Sequence, residues 1–111
     1  MQEIRRSTAW ERARRLVASV YGATEPWASA PPPPVKALRR ASVAAAVSLL
    51  ESASADAPRP RALAALEEVA RQTRLCRQEG HLPEAAERAL LAEQAAVEAA
   101  LRGDPADAPQ A

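Results

Sequence analysis

Prolines and glycines cut this chain into four stretches that each read as a helix, and that punctuation leaves little room for another fold. The predicted helices cover about 4–23, 34–54, 60–79 and 83–102. Between them lie Glu25-Pro26-Trp27 with the run Pro31–Pro34, then Asp56-Ala57-Pro58-Arg59-Pro60, then Gly80 to Pro83. Hydrophobic residues make up 48% of the chain and aromatics only 3%, with no Phe, so the apolar mass is alanine, leucine and valine. Alanine, leucine and arginine favour helices, while the residue types that strands prefer are scarce. A chain of 111 residues holds one core. The expectation is an all-α protein: an antiparallel up-down-up-down four-helix bundle over 1–103, with 104–111 a disordered tail of proline and alanine.

Apolar spacing gives each helix a side. In the first, Trp10, Ala13, Val17, Val20, Tyr21 and Thr24 recur in steps of three and four and are predicted to face the core. Arg5, Arg12 and Arg15 fall opposite them. In the second, Val35, Leu38, Ser42, Ala45 and Leu49 form one stripe, and Val43, Val47 and Leu50 form another. A helix apolar on two sides is either central or shared with another subunit. Every helix of a four-helix chain with short loops is peripheral. The second stripe therefore predicts self-association through Val43, Val47 and Leu50. The third helix buries Ala62, Leu66, Val69, Thr73 and Cys76, with Leu63 and Ala70 beside them; the fourth buries Ala86, Leu90, Val97 and Leu101. Gly80 fits a C-terminal cap, while Pro34 and Pro83 fit first helical positions. The Pro31–Pro34 run reads either as a stiff spacer across the bundle end or as a ligand for a proline-recognition domain.

Residues that carry chemistry are few. Cys76 is the single cysteine, so no disulfide forms within the chain, and a place on the core stripe makes it an inert buried thiol suited to a reducing cytoplasm. His81 sits in a turn with no nucleophile motif around it and reads as a solvated histidine. Glu67 and Glu68 are adjacent and point apart, so they make no carboxylate dyad. Gly22, Gly80 and Gly103 build no phosphate loop. No signal peptide is recognised, and no run approaches the roughly 20 apolar residues of a membrane span. We therefore expect no catalysis, no cofactor, no metal and no membrane partner.

Charge is more informative than any motif. The net charge is +1, yet residues 1–50 carry eight basic and three acidic side chains while 51–111 carry seven and eleven. A basic face on the first two helices attracts phosphate backbones, and oligomerisation multiplies the effect. Arg5, Arg12, Arg15, Arg39 and Arg40 are the candidate contacts to RNA or DNA, as charge carriers rather than readers of sequence. The alternatives are a solvated face, or one that pairs with the acidic half of a neighbouring subunit. Glu51 reads as an ion-pair partner for an arginine.

The pattern Trp10-x-x-Ala13-x-x-Leu16-Val17-x-x-Val20-Tyr21-x-x-Thr24 resembles the opening helix of a bacterial four-helix bundle family. That family includes the 23S rRNA intervening-sequence proteins and the accessory variability determinants of diversity-generating retroelements. Leu38-Arg39-Arg40-Ala41-Ser42-Val43, running on to Glu51, is similar to the family's second helix. Leu63, Leu66, Ala70 and Gly80-x-Leu82 sit about where its third helix and following loop lie. The likeness covers roughly 8–102. The Pro31–Pro34 run departs from the family pattern, as do Ser48 and Ser52, where the family has Asn and Gly. A bias against Asn, Phe and Lys fits a GC-rich bacterial genome. The resemblance implies a homo-oligomer, typically a pentamer, that binds nucleic acid and, in the retroelement branch, a reverse transcriptase. The reading from another class is a structural homo-oligomeric scaffold that binds only protein.

Overall fold

The computed structural model describes residues 2–54 and 59–102, with side chains described over 8–51 and 60–102. The expected tail at 104–111 and most of the turn at 56–60 lie outside the described residues. Four α-helices account for nearly all the rest: α1 (Gln2–Ala23), α2 (Pro33–Ser54), α3 (Arg59–Gln78) and α4 (Glu84–Arg102). There is no strand among the described residues. The helices pack in a cycle, α1 on α2 and α4, and α3 on α2 and α4, an arrangement compatible with a four-helix bundle.

The ends form as local chemistry requires, with small shifts from the expected boundaries. Pro33, not Pro34, opens α2, and the first ladder bond runs from Lys36 N–H to the Pro32 carbonyl at 3.0 Å. Pro33 and Pro34 occupy first-turn positions whose N–H groups would have no partner in the helix, so they cost nothing there. Pro83 stands just before α4 and its carbonyl accepts from Glu87 N–H at 3.0 Å. At the end of α3, Gly80 takes φ +85°, His81 N–H bonds back to the Cys76 carbonyl at 2.8 Å and Gly80 N–H to that of Arg77 at 3.0 Å. This paired pattern satisfies carbonyls that the helix end leaves open, and glycine carries the left-handed turn without steric cost. After α1, Glu25–Trp27 form a short 3-10 turn.

Each helix places one leucine and one valine fully inside: Leu16 and Val20, Leu38 and Val35, Leu66 and Val69, Leu90 and Val97. A side chain of this kind contributes about 1.5–3 kcal/mol on burial. Ala13, Ala41, Ala45 and Ala62 fill the space between them and let the backbones come close. The α2 stripe Val35, Leu38, Ser42, Ala45 and Leu49 is buried throughout, as is Ala62, Leu66, Val69, Thr73 and Cys76 on α3. On α1 and just after it, Ala13, Val20 and Thr24 are buried as expected and Leu16 joins them; Trp10 and Val17 are half-buried and pack against the core, and Tyr21 is exposed, so the core side is centred on Leu16 rather than on Tyr21. On α4 the buried set includes Gln94, a polar residue that spacing alone passed over. Its amide Nε2–H donates to the Leu66 carbonyl at 3.0 Å and so satisfies its donor inside the core.

Polar contacts tie one end together. The Cys76 thiol donates to the Pro34 carbonyl at 3.2 Å, joining the end of α3 to the start of α2. Trp27 Nε1–H donates to the His81 carbonyl at 3.1 Å, and the two rings meet edge-to-face at 5.1 Å. His81 is thus a half-buried part of this end rather than a fully solvated histidine.

Candidate interaction surface

The second apolar stripe of α2 stands in solvent. Val43 is 41% exposed, Val47 48% and Leu50 51%, against complete burial of Val35 and Leu38 on the same helix. Such a row on one helix is not by itself unusual; its continuation onto α1 is what makes a surface. Trp10, Arg14 and Val17 of α1 and Val43, Ala46 and Val47 of α2 line one groove of about 270 Å³. Tyr21, 42% exposed, lies further along α1. On α1 the set 10, 14, 17, 21 advances by four, three and four residues, and on α2 the set 40, 43, 47, 50 by three, four and three. That is the 3.5-residue repeat by which one helix meets another along a narrow seam. The α1 half of this surface is hidden in the sequence because Trp10 and Val17 serve both sides: they pack against the core, as their spacing predicts, and also border the groove, while Tyr21 alone of the three is exposed. Leu16, buried where they are not, is the signal that separates the two faces.

The candidate phosphate contacts are dispersed. Arg12 and Arg15 line a groove with Glu93 and Ala96 of α4, and a second one with Thr8 and Glu11. Both grooves therefore mix charge of both signs. Arg12 is half-buried and has a partner within the chain, while Arg15 is exposed. Arg39 is engaged by the end of α1: its Nε–H donates to Thr24 Oγ1 at 2.8 Å, an Nη2–H donates to the Thr24 carbonyl at 3.1 Å, and the guanidinium lies 4.6 Å from the Tyr21 ring centroid. A cation there answers the negative end of the helix dipole. Arg40 is exposed on α2 and lines neither of these grooves. The side chain of Arg5 lies outside those described. Of the four whose side chains are described, Arg12 and Arg15 are brought together in one groove.

Elsewhere the titratable groups make local structure. Arg14 pairs with Glu11 at 3.1 Å, Arg88 with Glu84 at 3.1 Å, and Arg77 of α3 reaches Glu87 of α4 at 3.7 Å. Glu68 accepts from Gln72 and Arg71, and these hydrogen bonds hold its carboxyl below the usual range. Burial pushes the Cys76 thiol up to about 11, so the thiolate that nucleophilic or redox chemistry needs is suppressed. Among the described residues no group of three His, Cys, Asp or Glu side chains converges in a way that would hold a metal ion. No helix among them is long and apolar enough to cross a membrane. Comparison with known protein families, with characterised proteins and with solved structures returns no match.

Proposed function

We propose that this protein is a non-catalytic, self-associating helical module that works by presenting an assembled surface to partner proteins. The observation that carries the reading is the exposed row Val43, Val47 and Leu50 with the groove Trp10 and Val17 form beside it. Aliphatic side chains kept in water at a helical seam spacing lose little and gain much when a second helix covers them. The chain's course is up-down-up-down and antiparallel on this reading. Three contacts support it: Arg39 with Thr24 joins α2 to the end of α1, Cys76 with Pro34 joins the end of α3 to the start of α2, and Trp27 with His81 joins the α1–α2 connection to the α3–α4 connection. We place the protein in the cytoplasm, where its one buried thiol stays reduced.

A second reading keeps the expectation drawn from the family resemblance: an oligomeric accessory protein, pentameric in that family, that binds RNA or DNA and a reverse transcriptase. Its specific support is the exposure of Arg15, Lys36 and Arg40 on the basic half of the chain. It ranks second because Arg39 serves the end of α1 and Arg12 is engaged within the chain. Binding of structured RNA and of duplex DNA across a salt series separates the two. The scaffold reading predicts weak binding at low salt that vanishes near physiological salt. Tight binding with a steep salt slope, lowered by Arg15→Glu and Arg40→Glu, would put the nucleic-acid reading in front.

A further inference from the structure

The exposed row on α2 has a layout of its own. Lys36 and Arg40 lie on its N-terminal side, Val43 and Val47 in the middle, and Leu50 and Glu51 on its C-terminal side. Positive, apolar, negative is a pattern complementary to its own reverse. Laid parallel, two such rows put Arg40 beside Arg40 and Glu51 beside Glu51. Laid antiparallel, they put opposite charges together at both ends and aliphatic side chains together between them.

We infer that the α2 seam is a docking site for the α2 seam of a second copy of this chain, paired antiparallel about a two-fold axis level with Ala45. The inference rests on the self-association reading and adds to it the partner, the direction and the register. Val43 and Val47 are equidistant from Ala45 along the helix, so the axis sets each against the other in the partner copy. Arg40 and Leu50 are likewise equidistant and face one another. Glu51 stands one residue beyond Leu50, an axial offset of about 1.5 Å from Arg40 of the partner copy, well within the reach of an arginine side chain. Glu51 also has a partner within its own chain, and a carboxylate accepts from more than one donor. Ala45 itself faces the core, so it takes no part in the seam and Val43 and Val47 are left to meet across the axis. The α1 wall of the groove, Trp10 and Val17, borders the seam and widens the contact. Such an interface is isologous: every residue that one copy gives, the other receives.

A charge swap tests the register, using the full chain and reading mass against concentration by sedimentation. Arg40→Glu and Glu51→Arg each set like charges together at both ends of the seam and weaken self-association by roughly tenfold. The double variant, Arg40→Glu with Glu51→Arg, recovers most of the loss, and the assembly has an even number of copies. Circular dichroism of each variant checks that helix content is kept. Single variants without effect, a double variant no better than the singles, or a ring of five would overturn this pairing while leaving self-association standing. A wild-type chain that remains monomeric at high concentration overturns both.

Discussion

Arg39 and Arg40 are adjacent in sequence and unlike in circumstance. One turns back to donate to Thr24 and lie on Tyr21, and the other points into solvent. Counting arginines treats them alike, since a helix step of about 100° is invisible to a charge sum. The buried thiol offers a sharper residue-scale prediction. Burial raises Cys76 from its ordinary 9.0 to about 11. In the unfolded chain the thiol releases its proton near 9.0, while the folded chain holds it until about 11. Stability from this group is therefore complete below the lower value and lost as pH rises through that window. Urea midpoints compared between about pH 8 and about pH 10.5 should fall further for the wild type than for Cys76→Ala. Parallel profiles for the two proteins would contradict it.

At the scale of the element, most of the architecture was legible because α2 and α3 carry clean stripes at helical spacing and proline or glycine marks their ends. On α1, apolar side chains lie on two neighbouring sides, and spacing cannot say which one is centred on the core. Gln94 is hidden in the same way, since a buried amide is acceptable only when a carbonyl such as that of Leu66 stands opposite, and sequence does not show what stands opposite. The exposed α2 row was legible for the opposite reason: a second stripe on a peripheral helix has no partner inside the chain. Two glycines test the account of the helix ends with opposite signs. Gly80 holds φ +85° with open space where a Cβ would sit, so Gly80→Ala costs about 1–2 kcal/mol through backbone strain alone. Gly22 lies within α1, also with open space around it, and Gly22→Ala stabilises by about 0.5–1 kcal/mol. Chemical denaturation measures both, and shifts of the same sign would mean that the ends are built differently.

For the whole molecule, the core and the outer seam make separate demands on the same helix. Leu38 and Leu49 hold α2 to its own bundle, while Val43, Val47 and Leu50 are surplus to that bundle. Truncating a buried leucine costs about 2–5 kcal/mol, whereas a polar residue at Val47 or Leu50 leaves the isolated fold nearly as stable. The central claim is that this surplus exists for self-association. The most direct test is the mass of the wild type and of the Val47→Glu, Leu50→Glu double variant, measured by sedimentation equilibrium over a wide concentration range. The account predicts a wild type that assembles and a variant that stays monomeric with its helix content intact. A wild type that is monomeric throughout, or a variant that assembles as well as the wild type, would contradict it.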